Sequence, residues 1–207
     1  MEWEQLRELT QKVSQWSEKV DGVTHRYATR FNVGCKLGCT KCCDNPKISV
    51  LPLSLLPWAM DHWEKSQFNV DEALKSFENR SEEHSSSSLC VFYNPKGSLG
   101  GCSIYSTRPS LCRFFGFFSR LNKYGQHEHV ACRIQQEELN LTQVNQSLNE
   151  IKGESHRFLV QQLEQELKDL WPVWAKEELP LNEAFKVALG WVVQSSLHLE
   201  HPVNSPH

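Results

Sequence analysis

All eight cysteines of the chain lie between Cys35 and Cys132, and four of them fall within nine residues as Cys35-x3-Cys39-x2-Cys42-Cys43. Cys90, Cys102, Cys112 and Cys132 complete the set, while residues 1–34 and 133–207 have none. This partition predicts a cysteine-rich centre wrapped by other structure. The N-terminus, MEWEQLRELTQKV, is acidic and amphipathic, without the basic and apolar regions of a secretion signal. The expected compartment is therefore cytoplasmic and reducing, where disulfides do not persist. There, closely spaced cysteines bind metal or do redox chemistry. In an exported chain the same eight would form four disulfides, and composition alone leaves that alternative open.

The remaining composition narrows the class. With 207 residues, 39% hydrophobic and 23% charged, the chain has the mass and apolar content for one folded domain. It should not need a metal merely for want of a core. A formal charge of −3 argues against nucleic acid and anionic membrane as partners. A mean hydropathy of −0.51 and the lack of an 18-residue apolar run exclude a membrane span.

Apolar periodicity predicts helices at both ends. Trp3, Leu6, Leu9, Val13, Trp16, Val20, Val23 and Tyr27 recur at steps of three and four, with a weak point expected at Asp21-Gly22. Ser54 is placed to cap a short helix with Pro57 in its first turn, running through Trp58 and Trp63. Asn69 or Asp71 is placed to start another, through Leu74 and Phe77, ending before Ser81. Ser81–Ser88 reads as a flexible loop. From Cys90 to Cys132 loops and short strands are expected. Helical period returns in Leu141, Val144, Leu148 and Ile151, again from Leu159 to Trp174, and after Asn182 through Phe185, Leu189, Val192, Val193 and Leu197. The tail beyond His201 reads as frayed. The expected fold is thus mainly α: a single domain, 1–207, with a core at 31–135 and helical flanks at 1–30 and 136–200.

The spacing of the first cluster lets thiolates turn back on one metal, at about 2.3 Å for zinc. Gly34 and Gly38 permit the tight backbone, and Lys36 and Lys41 favour thiolates beside them. Cys42 and Cys43 are adjacent, and neighbouring side chains diverge. The pair points to two centres or one polynuclear centre. In the second set, Tyr105, Arg108, Pro109 and Arg113 surround Cys102 and Cys112. Pro109 stiffens the turn, and the two arginines are placed to donate to sulfur. The Phe114-Phe115-Gly116-Phe117-Phe118 run is placed to screen the site from water.

In their order, the CxxCxxCC-like cluster, Cys90-Val-Phe, Cys102-x2-Tyr105-x2-Arg108-Pro109-x2-Cys112-Arg113 and the trailing Cys132 resemble the YkgJ-type cysteine-cluster family of zinc- or iron-chelating domains. The resemblance spans roughly residues 31–135. The first spacing here is x3 where the family has x2. One branch of that family comprises flagellin lysine N-methylases, but this chain shows no glycine-rich strand-to-helix turn of a methyltransferase domain.

Simpler readings compete at several positions. Arg108 and Arg113 suit ion pairs as well as sulfur contacts, and Tyr105 suits a packed aromatic with a tethered hydroxyl. His127 and His129 read better as a solvated loop than as ligands, Asp44 as a turn former, and the tryptophans as core. His25 and His62 sit on helical patterns as surface or satisfied groups, and His201 and His207 read as tail. The expected function is metal binding: Cys35, Cys39, Cys42 and Cys43 supply one set of thiolates, and Cys90, Cys102, Cys112 and Cys132 complete one or two sites. Thiolates suit iron, an iron–sulfur cluster or zinc, and the Lys, Arg and aromatic surroundings lean toward iron–sulfur. Two alternatives stay open: a metal-cluster-dependent enzyme of redox or group-transfer type, such as protein methylation, and a structural zinc domain whose exposed helices bind a protein partner.

Overall fold

The N-terminal apolar stripe folds as one unbroken helix, α1 (Trp3–Phe31), which buries Leu6, Leu9, Val13, Trp16, Val20, Val23, Tyr27 and Phe31 on a single face. The weak point expected at Asp21-Gly22 does not break it. A mid-helix glycine costs only about 1 kcal/mol, and the buried face continues on both sides. Asn32, with φ 49°, ends the helix in the left-handed conformation and returns its N–H to Ala28. The computed structural model describes residues 1–35, 39, 48–67, 69–85, 90–94, 101–151, 155–174 and 177–197.

Beyond α1 the described chain runs through β1 (Ser49–Val50), a 3-10 turn (Pro52–Leu55), α2 (Leu56–Lys65), α3 (Val70–Ser85) and a 3-10 turn (Tyr105–Thr107). It continues through α4 (Ser110–Phe114), β2 (Ser119–Leu121), β3 (His127–His129), α5 (Arg133–Glu138) and α6 (Leu141–Glu150). A third 3-10 turn (Ser155–Phe158), α7 (Val160–Leu170), β4 (Leu179–Pro180) and α8 (Leu181–Ser196) complete it. The architecture is a mainly α single domain. The sheet among the described residues amounts to two antiparallel pairs, β1 with β4 and β2 with β3. No helix among the described residues is long and apolar enough to cross a membrane.

Several boundaries differ from the sequence expectation. Ser54 does not cap α2; it sits in the preceding 3-10 turn and donates its hydroxyl to Leu51 O at 2.8 Å. Asn69 does cap α3, accepting from Glu72 N at 3.0 Å. The helix then continues past Ser81 to Ser85, because Glu82 and Glu83 are good helix formers and serine only a mild handicap. Residues 86–88, the rest of the expected loop, lie outside the described set, as does the tail with His201 and His207. Helix α7 stops at Leu170 rather than reaching Trp174, since Trp171 precedes Pro172 and that position disfavours helix. Helix α8 begins at Leu181 behind Pro180, one residue before the expected cap Asn182.

Two aromatic groups bind the cysteine-bearing segments to the helices. Trp58 meets Phe185 of α8 edge-on at 4.7 Å and Phe92 at 5.1 Å, with Phe77 of α3 at 5.7 Å. Phe92 belongs to the Cys90–Tyr93 turn, so this group seats Cys90 against α2 and α8. In the second group Trp16 of α1 meets Phe114 at 5.9 Å, and Phe114 meets Phe118 at 5.0 Å. Tyr27 stacks near Phe118 and meets Phe158 edge-on at 5.2 Å. Of the phenylalanine run, Phe114 and Phe118 are therefore core, while Phe115 faces solvent.

The β2–β3 hairpin leans on α6 through two asparagines four residues apart. Asn145 Oδ1 accepts from His129 N at 2.7 Å, and Asn149 accepts from His127 N and donates to His127 O, both at 2.9 Å. On the other side Ser119 pairs with Leu159.

The position of Trp58 yields a stability prediction. Replacing this fully buried ring by alanine should cost about 3–5 kcal/mol, read as a lower midpoint in denaturant with an unchanged slope. A loss under about 1 kcal/mol would contradict the packing described.

Candidate metal centre

Among its described residues the segment from Cys90 to Cys132 has no long helix, so its shape depends on bonds from side chains to main chain. Tyr93 pairs with Cys102 across an isolated β-bridge, closed by Ser103 N donating to Phe92 O at 2.9 Å. This fixes Cys90, one turn away, relative to Cys102. Cys90 is buried; Cys39, Cys102, Cys112 and Cys132 are half-buried, and Cys35 is exposed. Cys42 and Cys43, with Lys36, Lys41, Gly38 and Asp44, lie outside the described residues.

From Cys102 to Cys112 the chain is folded around two guanidinium groups. Arg113 is only 3% exposed. It donates from Nε to Arg108 O at 3.0 Å, from Nη2 to Ser106 O at 2.5 Å, and from Nη1 to Asp21 Oδ2 of α1. Arg108 donates to Tyr105 O at 2.7 Å and to Asp21 Oδ1 at 3.0 Å, and its guanidinium lies 4.1 Å over the Tyr105 ring. Tyr105 itself is 49% exposed rather than packed. Burial pushes the Arg113 pKa down, while the hydrogen bond and charge of Asp21 and the charge of Cys112 push it back up. Cys112 is thus within electrostatic reach of a buried cation, a setting that favours its thiolate.

The second organiser is Gln135, buried in the first turn of α5. Cys132 caps that helix: Gln135 N donates to its sulfur at 3.4 Å, and Cys132 N donates back to Gln135 Oε1 at 3.2 Å. Gln135 Nε2 then donates to Gly116 O at 2.8 Å and to Gly34 O at 3.3 Å. One amide therefore ties the residue before Cys35, the turn after Cys112, and Cys132 to a common point. Gly116 is required there: its φ is +85°, and a Cβ would stand 2.9 Å from Gln135 Oε1. The spacing Cys132-x2-Gln135 is that of a capping box with cysteine as cap, which is the signal that could have revealed Gln135. Asp21 carries no such signal.

His127 and His129 do not form a solvated loop. Both are buried on β3, because the hairpin folds His129 against Tyr27 of α1 and His127 against Ser119 of β2. His127 Nδ1 contacts Ser119 Oγ at 3.1 Å, and His129 Nδ1 contacts the Tyr27 hydroxyl at 2.8 Å. Burial lowers the His129 pKa and raises that of Tyr27; the Gln135 side chain and Phe118 carbonyl partly oppose the former. His62 is satisfied, sharing Nε2 with Ala73 O and Ser76 Oγ at 3.0 Å each.

Thiolates in this number suit iron, iron–sulfur clusters and zinc, and the described residues supply a cation beside Cys112 and an N–H on Cys132. Among the described residues no group of three His, Cys, Asp or Glu side chains is close enough to hold a metal ion.

Two predictions arise from this geometry. Gly116→Ala should destabilise the chain by at least about 1–2 kcal/mol, the cost of a side chain in the left-handed region, because Gln135 must also move. Equilibrium unfolding would show it, and a neutral result would remove Gln135 as organiser. Because the folded state holds His129 neutral more strongly than the unfolded state does, its contribution is fully present above the ordinary imidazole value of about 6.5. It should decline as the pH falls below that value. Unfolding midpoints measured across this range should therefore drop on acidification, with a shallower drop in His129→Asn.

No curated protein and no solved structure gives a match to this sequence. The family model for CxxCxxCC, described as "Putative zinc- or iron-chelating domain", matches residues 34–146, more than half of the chain. The resemblance carried by the order of the cysteines is thereby confirmed: the chain belongs to the CxxCxxCC family.

Proposed function

We propose that this chain is an iron-holding protein that binds an iron–sulfur cluster through thiolates drawn from Cys35, Cys39, Cys42, Cys43, Cys90, Cys102, Cys112 and Cys132. The observation that carries the reading is the Gln135 knot, which fastens Gly34, Gly116 and Cys132 together and so gathers three cysteine-bearing segments. Thiolates brought together on these segments would repel one another unless a cation or protons intervened. The family's zinc- or iron-chelating description supports the metal. Iron–sulfur is favoured over zinc by the buried Arg113 cation alongside Cys112. Arg108 and Tyr105 belong to the same shell, shaping the loop between Cys102 and Cys112. The thiol form needs a reducing compartment, in keeping with a cytoplasmic chain.

The test is metal and acid-labile sulfide per chain on protein purified without oxygen. Iron with comparable sulfide is the expected result. Zinc without sulfide would replace the cluster by a structural thiolate site, and no metal with the thiols paired as disulfides would overturn the proposal. Cys112→Ser should lower bound iron while the chain stays folded by circular dichroism.

A further inference from the structure

Asp21 stands on α1, thirteen residues before the segment that the family model matches. It nevertheless reaches the loop between two of the cysteines. Its carboxylate is divided: Oδ1 takes Arg108 at 3.0 Å, and Oδ2 takes Arg113. Those two arginines in turn hold the carbonyls of Tyr105, Ser106 and Arg108. The middle of the Cys102–Cys112 loop is thus folded onto two cations that one carboxylate orients. The charges on Asp21, Arg108 and Arg113 sum to +1 beside Cys112, so one thiolate balances them.

We infer that Asp21 is a positioning residue of the cysteine centre, fixing the spacing of Cys102 and Cys112 and holding both guanidinium groups off the sulfur atoms. This rests on the reading that these cysteines hold a metal. The Asp21 side chain is 42% exposed while Arg113 is buried, so water can replace the carboxylate's own contacts but cannot reach in to reorient Arg113. Without Asp21 the local charge rises to +2, and the two guanidinium groups lose the carboxylate that orients them beside Cys112. The consequence falls on metal geometry more than on folding.

The experiment is a Co²⁺ titration of the full chain, reduced and without oxygen, followed by sulfur-to-cobalt absorption and by competition with a chelator. Asp21→Asn should weaken Co²⁺ by about 10- to 100-fold, the usual effect of losing a partner outside the ligand shell. It should also change the cobalt d–d bands, which report coordination geometry. Asp21→Glu, which keeps the charge, should restore most of the affinity. Asp61→Asn, at an exposed pair with Lys65 far from the cysteines in sequence, should change neither. Melting of the metal-free chain separates a merely structural role: a lowered midpoint with unchanged cobalt bands overturns the inference. Equal affinity and spectrum in parent and Asp21→Asn overturn it alone, leaving the metal reading intact. A parent chain that shows no sulfur-to-cobalt absorption overturns both. Should Asp21→Asn fail to fold, Arg108→Gln removes one arm of the same clamp, and an unchanged cobalt spectrum there overturns the inference equally.

Discussion

The long apolar face of α1 is the constraint on which everything else leans. Helices α2, α4, α7 and α8 all pack against it, and each fully buried aliphatic or aromatic side chain along it contributes about 1.5–3 kcal/mol. Because the helix is long and unbroken, it can serve two tasks along its length. Trp16 seats Phe114 and donates its indole N–H to Leu163 O at 3.2 Å. A turn and a half later Asp21 grips the arginines, and near the end Tyr27 meets His129. A helix outside the cysteine segment thereby becomes the bench on which that segment is assembled.

Where regular structure stops, polar side chains take over the ordering. A loop-rich segment cannot satisfy its own carbonyls through a ladder, and buried unsatisfied carbonyls are costly. Arg113 and Gln135 answer this with planar groups that bond several main-chain atoms at once. Such bonds also fix the directions in which Cys112 and Cys132 leave the backbone. The same contacts that let the segment fold thus prepare it to present sulfur.

The helical frame was readable in the sequence because its period is carried by large apolar side chains: α1, α2, α6 and α8 all follow it. The cysteine cluster and its family were readable because spacing is a sequence property. Boundaries were less so. Whether Ser54 caps or merely turns depends on a competing 3-10 bond to Leu51, and α7 yields to a proline that the leucine period hides. Asp21 and the burial of His129 were not legible at all, since each depends on partners roughly ninety to a hundred residues away; of Gln135 only the cap spacing to Cys132 was visible, not its bonds to Gly34 and Gly116. Polar residues that organise a loop look, in one dimension, like any solvated surface residue.

The asparagine pair on α6 has a consequence beyond holding the hairpin. A two-stranded ribbon normally offers its outer N–H and C=O groups as a template for another chain, the route to edge-to-edge association. Here Asn145 and Asn149 occupy the outer groups of β3, and Leu159 stands beside Ser119 on β2. The side-chain amides imitate a neighbouring strand, so the ribbon is closed against self-recruitment without extending the sheet. Losing those amides would reopen β3 as a sticky edge, and the harm would appear as concentration-dependent oligomers rather than as unfolding.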